Sequence, residues 1–272
     1  MTKIAFIGAG NMNGAIIRGL IQQGVEAQSI IVSNPSPEKR IALADELGIQ
    51  HTDNNIEAAN FADFVILGVK PHFISDVCQE LVDNVSQDKL EKICFLSVAA
   101  GFPIEKMQNV LGQNSAIIRT MPNTPSQLGL GMTGLFANAN VTAEQTVQAE
   151  QLMQAAGEVV WVESEDKIND LTAVSGSGPA YFFLFMEAME QQAKAFGFSD
   201  EISRKLVQQT AIGAANMVVS NSEVEIGQLR ANVTSKGGTT HAALTTLIDG
   251  GLTPLVAKAM NAALARAEEM AK

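Results

Sequence analysis

Two short stretches carry residue types whose spacing can do chemistry. The first, Gly8-Ala9-Gly10-Asn11-Met12-Asn13-Gly14, follows an apolar run and opens an amphipathic one. Strand, glycines, helix, then a second strand is the context in which such a loop receives a dinucleotide. Gly8 permits a tight turn and Gly10 lets the backbone approach a pyrophosphate. The helix start at Asn11–Gly14 offers free N–H groups and a partial positive charge. The third small position of the pattern is Asn13, with Gly14 one later, a departure expected to loosen helix–sheet packing slightly. The plainer alternative is a glycine turn without a ligand. The second stretch, Val233-Thr234-Ser235-Lys236-Gly237-Gly238-Thr239-Thr240, gathers hydroxyls and glycines just ahead of a helical pattern. Such a loop presents N–H groups and hydroxyls to an anion, and a carboxylate docked there gains charge-assisted hydrogen bonds. Here the alternative is that Thr239 or Thr240 only caps the helix.

The residue that ends the second strand of a dinucleotide fold discriminates between cofactors. An acid there holds the ribose hydroxyls of NAD and repels a 2′-phosphate. This chain reads Val32-Ser33-Asn34-Pro35, with no acid before Glu38. Ser33 and Asn34 can donate hydrogen bonds to a phosphate, and Lys39 or Arg40 can add charge. NADPH is therefore expected, with NADH the second candidate, although Ser-Asn-Pro is also ordinary turn chemistry.

Other chemistries lack their residues. His51, His72 and His241 are scattered and no Cys/His cluster exists, so no metal site is expected. Cys78 and Cys94 are too few for a disulfide framework and read as thiols of a reducing cytosol. The 272 residues carry 18 Lys+Arg against 29 Asp+Glu, a net charge of −11, which argues against nucleic-acid or anionic-membrane partners. Hydrophobic residues make up 46% and charged residues 17%, ample material for a core and too apolar for a disordered chain. The apolar run Ile4–Ile7 is too short for a signal segment and no stretch of 18 apolar residues occurs. A cytoplasmic protein is the expectation.

The elements that must position these loops fall into two groups. Apolar runs at Lys3–Ile7, Ser29–Val32, Phe64–Val69, Ile93–Val98 and Ala116–Thr120 alternate with helical patterns at Asn13–Gln23, Pro37–Leu47 and Ile74–Val85. Strands joined by helices predict an α/β fold, a Rossmann-type, doubly wound, mainly parallel sheet covered on both faces. Met132–Ala137 and Glu158–Val162 bracket a further helix near Ala143–Ala156. After about Glu163 only helices follow: Tyr181–Phe196, Ile202–Val219, Thr240–Ile248 and Pro254–Ala271. Ser199 reads as a cap, Ser222-Glu223-Val224-Glu225 as a capping box, Thr253 as a cap before Pro254, and Gly250-Gly251 as a stop. The expected division is thus 1–163, a dinucleotide-binding domain, and 164–272, an all-α domain. Helices apolar around most of their circumference must be buried on several sides, which predicts a homodimer through the second domain. A monomer with those helices packed on the first domain is the alternative.

Several segments together are similar to one family, pyrroline-5-carboxylate reductase. They are Phe6–Met12, Val69-Lys70-Pro71, Ala99-Ala100-Gly101, Met121-Pro122-Asn123-Thr124-Pro125, Ser175–Tyr181 and Gly237–Ala242. The resemblance spans the whole chain and implies reduction of L-1-pyrroline-5-carboxylate to L-proline by NAD(P)H. It implies an obligate dimer through the helical domain, in some members assembled into decamers. By position, Ile7, Gly8, Ala9, Gly10, Asn11 and Met12 fall on the pyrophosphate side, and Ser33, Asn34 and Asn55 on the adenosine side. Val69, Lys70 and Pro71 would close over the cofactor, with Ala99 and Ala100 flanking its nicotinamide half. Ser235, Gly238, Thr239 and Thr240 match the loop that takes the substrate carboxylate and ring nitrogen. Lys236, where many members have Pro, and Thr234, where some have Ser, bear on the rigidity of that loop. Imine reduction needs proximity and orientation more than acid–base machinery, which fits the lack of a Ser-His-Asp set or a carboxylate pair. Thr240 Oγ is the candidate catalytic partner of the ring nitrogen. The alternatives are a β-hydroxyacid dehydrogenase, whose interdomain lysine is missing from Ser175–Tyr181, and a non-catalytic NADPH-binding scaffold. In Met121–Pro125 either X-Pro bond is open to the cis form.

Overall fold

The computed structural model describes residues 2–271. Strand β1 (Ile4–Ile7) is followed by helix α1 (Asn11–Gln22), β2 (Ile30–Ser33), α2 (Pro37–Leu47), β3 (Gln50–Thr52), α3 (Asn55–Phe61) and β4 (Phe64–Leu67). Then come α4 (Ile74–Asn84), α5 (Gln87–Leu90), β5 (Cys94–Ser97), α6 (Ile104–Leu111), β6 (Ala116–Met121), β7 (Gly131–Ala137), α7 (Ala143–Gln154) and β8 (Gly157–Trp161). The strands form one sheet in the order β3-β2-β1-β4-β5-β6-β7-β8. Strands β3 to β6 are mutually parallel, β7 runs antiparallel to β6, and β8 is parallel to β7. The mainly parallel, doubly wound sheet read from the sequence is therefore the observed one.

Its core follows from alternation along each strand. Ile4 and Phe6 of β1, with Ile30 and Val32 of β2, point to the face covered by α1, α2 and α7 through Ile16, Leu20, Leu43 and Met153. Ala5, Ile7 and Ile31 point to the other face, where α3, α4 and α6 bring Ala58, Ala59, Cys78, Leu81 and Met107. Both faces being buried, the strands read as continuous apolar runs. Close approach of α1 to the end of α7 depends on one glycine in particular: a Cβ on Gly19 of α1 would overlap the Ala155 carbonyl oxygen just after α7.

Beyond β8 the chain is helical: α8 (Lys167–Leu171), a π-helical turn (Thr172–Gly176), α9 (Gly178–Ala195), α10 (Asp200–Val219), α11 (Ile226–Asn232), α12 (Thr239–Asp249) and α13 (Leu252–Ala271). Two compact units result. Residues up to Ser177 and those from Ala263 onward form the first, and Gly178–Ala262 the second. The end of α13 joins the first unit through a close approach, since a Cβ on Gly101 would sit 2.9 Å from Met270 Cβ.

Several local expectations are met and others corrected. Ser199 caps α10 by accepting from the Ile202 N–H. The capping box at Ser222–Glu225 does not form: α11 starts at Ile226, with Glu225 at its N-cap and no side-chain cap. Nor does Thr253 cap α13, which begins one residue earlier at Leu252, so Pro254 falls inside the first turn. There its missing N–H costs nothing, because first-turn N–H groups have no intrahelical acceptor. Among the described residues no peptide bond is cis, so both X-Pro bonds of Met121–Pro125 are trans.

Candidate active site

Parallel register aligns the ends of four strands. Ile7 pairs with Ser33 on one side and Leu67 on the other, and Leu67 pairs with Ser97. The loops after β2, β1, β4 and β5 therefore emerge side by side along one edge, about 4.8 Å apart per strand. β1 lies where the winding order reverses, the crevice in which such sheets bind ligands. Gly8, Gly10, Ser33, Asn34, Val69, Lys70, Pro71, Ala99 and Ala100 are all brought to this edge.

At its centre the backbone leaves β1 through Gly8 at φ +102°, where a Cβ would lie 2.8 Å from the Gly68 carbonyl oxygen. Gly10 is the N-cap of α1 and no side chain caps that helix. A Cβ on Gly10 would meet only the Gly68 oxygen, at 3.9 Å, so the surface above the turn is open. An uncapped helix start under an open glycine turn fits a dinucleotide pyrophosphate.

The slight loosening of helix–sheet packing expected at Asn13 is not what the structure shows: the side chain is packed away and fastens the turn. The side chain is 1% exposed. Its amide donates to the Gly8 carbonyl at 2.7 Å and reaches the Ile7 carbonyl at 3.4 Å. The room for it comes from Gly68, where a Cβ would fall 2.2 Å from Asn13 Nδ2. Gly68 is the residue that sequence reasoning passed over, although a glycine directly after an apolar strand was a visible signal.

On the β2 side, Asn34 Oδ1 accepts from the Ala9 N–H at 3.1 Å, tying the two loops together. The buried Ser33 hydroxyl donates to Asn55 Oδ1 at 2.7 Å, and the Asn55 amide donates to Glu80 Oε2 at 2.8 Å. Arg40 folds under the same loop, donating to the Asn34 and Pro35 carbonyls and pairing with Asp53 at 3.2 Å. Lys39 is exposed.

On the other side of β1, Lys70 is exposed and Val69 and Pro71 half-buried. The Ala99 N–H donates to Ser97 Oγ, and Thr120 Oγ1 donates to the Ser97 carbonyl at 3.0 Å. Asn123 joins the Met121–Pro125 loop to the π-helical turn: its amide donates to the Ser175 carbonyl at 2.9 Å and its Oδ1 accepts from the Met132 N–H at 2.9 Å. Below them, buried Arg119 donates to Glu165 at 3.0 Å and to Asn169 at 3.2 Å. The same Glu165 oxygen accepts from the Ile104 N–H at the start of α6.

In the second unit, Ser235, Gly238, Thr239 and Thr240 form the turn into α12. Gly237 takes φ +75° and the Gly238 N–H donates to the Ser235 carbonyl at 3.0 Å. Gly238 is the N-cap and no side chain caps α12, which sets aside the reading of Thr239 or Thr240 as caps. Among the described residues neither threonine hydroxyl is hydrogen-bonded within the chain, and both threonines are exposed. The turn thus offers N–H groups and hydroxyls to an anion.

No group of three or more metal-ligating side chains occurs among the described residues, and no helix is long and apolar enough to cross a membrane. Burial pushes the Cys78 and Cys94 thiols up to about 12. Both stay protonated near neutral pH and are poor nucleophiles.

Residues 165–270 match the family model described as pyrroline-5-carboxylate reductase dimerisation, and residues 3–101 the model described as NADP oxidoreductase, coenzyme F420-dependent. A pyrroline-5-carboxylate reductase of Vibrio alginolyticus is 53% identical, over 99% of this chain and 98% of its own. The structure of a pyrroline-5-carboxylate reductase from Coxiella burnetii is 43% identical and superposes with a TM-score of 0.93, covering 100% of this chain and 99% of that one. A Plasmodium falciparum pyrroline carboxylate reductase, crystallised with NADP bound, is 27% identical with a TM-score of 0.86, covering 100% of this chain and 98% of that one. With likeness of this strength running from end to end, the chain belongs to the pyrroline-5-carboxylate reductase family.

Proposed function

We propose that this chain reduces L-1-pyrroline-5-carboxylate to L-proline, the last step of proline biosynthesis, with NADPH as the preferred reductant and NADH as the second. The observation that carries the reading is the 53% identity across 99% of the chain to a pyrroline-5-carboxylate reductase. Both loops expected to hold ligands are present and open. Residues 1–163 serve cofactor binding and 164–272 serve substrate binding and dimerisation.

In this reading Ile7, Gly8, Ala9, Gly10, Asn11 and Met12 hold the pyrophosphate with backbone N–H groups and the α1 dipole. Asn34 and Asn55 lie nearest the adenosine ribose, the fully buried Ser33 supports them from behind through Asn55, and Arg40 contributes positive charge beside a 2′-phosphate. Val69, Lys70 and Pro71 cover the cofactor, and Ala99 and Ala100, small and apolar, flank the nicotinamide. The bound cofactor supplies a hydride to the imine carbon. Ser235, Gly238 and Thr239 hold the substrate carboxylate at the start of α12. Thr240 Oγ hydrogen-bonds the ring nitrogen, which takes the C=N electron pair and keeps a proton as the product amine. A cyclic imine already protonated in water needs no further acid, so orientation is the main contribution of the chain.

Two copies associate through the second unit, and dimers can assemble further into a decamer. Phe182, Phe183, Leu184 and Leu255 are 72, 61, 67 and 62% exposed within one chain, a surface that calls for a partner. The small-molecule substrate is the other partner, and the cytoplasm the expected location. Mixing purified protein with NADPH and fresh pyrroline-5-carboxylate tests the reading by the fall in nicotinamide absorbance and the appearance of proline. Cofactor binding without oxidation would overturn it.

A further inference from the structure

The loop after β5, residues 98–103, has both of its ends tied to one pair of charges, Arg119 and Glu165. At the near end Ser97, the last residue of β5, stands in register with Arg119 of β6. At the far end the chain enters α6 through Pro103, which has no side-chain cap to offer. A helix start leaves its first N–H groups without intrahelical acceptors. Here the Ile104 N–H donates to Glu165 Oε1 at 2.8 Å, across 61 residues of chain. The same oxygen accepts from Arg119 Nη1 at 3.0 Å, while Arg119 Nη2 donates to Asn169. Arg119 is 3% exposed, so its charge has to be met inside the fold. One carboxylate oxygen therefore closes the loop, joining the sheet through Arg119 to the start of α6. Within the loop Ala99 and Phe102 are buried, whereas Val98, Ala100 and Gly101 are half-buried and reach the surface.

We infer that Glu165 is a positioning residue for hydride transfer: by tethering the Ile104 N–H to the sheet it fixes where residues 99 and 100 stand against the nicotinamide. This rests on Ala99 and Ala100 flanking the nicotinamide, as proposed above. Two substitutions separate the two bonds that the carboxylate makes. Glu165→Gln keeps the reach, with an amide oxygen that still accepts from Ile104 and Arg119, and gives up the charge. Glu165→Asp keeps the charge beside Arg119 but is one methylene too short to hold the Ile104 N–H as well.

The test measures four quantities in the full-length protein: kcat with NADPH, the isotope effect on kcat with NADPH deuterated at the transferred position, calorimetric affinity for 2′,5′-ADP, and Tm. In Glu165→Asp kcat should fall about five- to tenfold, the rate equivalent of one net hydrogen bond. The isotope effect should grow as a misplaced nicotinamide makes hydride transfer limiting. Affinity for 2′,5′-ADP, which reads only the adenosine end, should stay unchanged. In Glu165→Gln kcat should stay within about twofold of the parent even where Tm falls, because the bond to Ile104 is kept. A slow Glu165→Gln protein, or a Glu165→Asp protein at the parental kcat, would show that the carboxylate only neutralises Arg119. Either would overturn the inference while leaving the proposed activity standing. So would a Glu165→Asp protein slowed without a larger isotope effect, or one that loses 2′,5′-ADP affinity in step with kcat. An unsubstituted protein that oxidises no NADPH with pyrroline-5-carboxylate would defeat the activity itself, and the inference with it.

Discussion

The turn into α1 and the turn into α12 are the same local device in different surroundings. Both helices have a glycine N-cap of nearly equal geometry, Gly10 at φ −82°, ψ 172° and Gly238 at φ −80°, ψ 176°, and neither has a side-chain cap. The α1 turn rests on a sheet. Seven residues of that helix are buried, and Asn13, Asn34 and Gly68 fasten the turn from three sides. The α12 turn stands on a helix with no buried residue, in a unit where α11 also buries none. Exposed backbone N–H groups make an anion site in either place. Rigidity comes only from packing, so the α1 turn is held fast within its unit whereas the helices around the α12 turn leave apolar surface uncovered.

Four substitutions or conditions press on that contrast. Thr240→Ala should lower kcat/KM on the order of 100-fold, the scale of one transition-state hydrogen bond. Affinity for NADPH and Tm should stay unchanged, as an exposed, unfastened hydroxyl implies. Equal activity in variant and parent would remove Thr240 from the mechanism. Gly68→Ala should behave in the opposite way, costing about 2 kcal/mol of stability because its methyl meets Asn13. Adding Asn13→Gly should recover part of that loss. Simple additivity in a urea-denaturation cycle would show that the two residues do not interact. Phe182→Asp with Phe183→Asp should shift the proposed dimer toward monomer, by about 1–2 kcal/mol for each aromatic the partner would cover. Sedimentation velocity reads this, and an unchanged dimer would place the interface elsewhere.

The smallest effect concerns alkaline pH. The buried thiols of Cys78 and Cys94 are raised from 9.0 to about 12. The unfolded chain therefore loses these protons first as pH rises. Their stabilising contribution is complete below about pH 9 and is lost between pH 9 and 12, roughly 1 kcal/mol per thiol by pH 10. Urea midpoints at pH 7 and pH 10 measure it, and Cys78→Ala should flatten the difference. A Cys78→Ala protein with the parent's pH slope would show that the thiol does not contribute.

The expected strands and the longer helices appear within a few residues of where periodicity put them, because β1 and β4 are apolar throughout, β2 and β5 are apolar up to a terminal serine, and α1 and α4 carry clear stripes. What escaped was short or polar. β3 is a three-residue strand, Gln50-His51-Thr52, held by pairing to β2 rather than by its own apolar face. α5 has four residues, too few for a period to show, whereas α6 carries Ile104, Met107 and Leu111 at helical spacing and was passed over although that signal was present. The starts of α11 and α13 moved because a hydroxyl at a plausible cap position is common, and local competition decides which one is used.

The glycine turn, the absence of an acid after β2 and the hydroxyl-rich turn before α12 were each written in consecutive residues, so the sequence alone determined what kinds of ligand the chain can meet. Long-range contacts decided the rest. Asn13 became a fastener only because Gly68, just past the end of β4, left space for its amide. Glu80 meets Asn55 only because α4 packs beside α3, bringing a carboxylate to an asparagine 25 residues away. Arg119 found Glu165 and Asn169 across 46 and 50 residues. Residue type sets which hydrogen bonds a group can make, whereas the direction and partner of each bond depend on which elements the fold brings side by side.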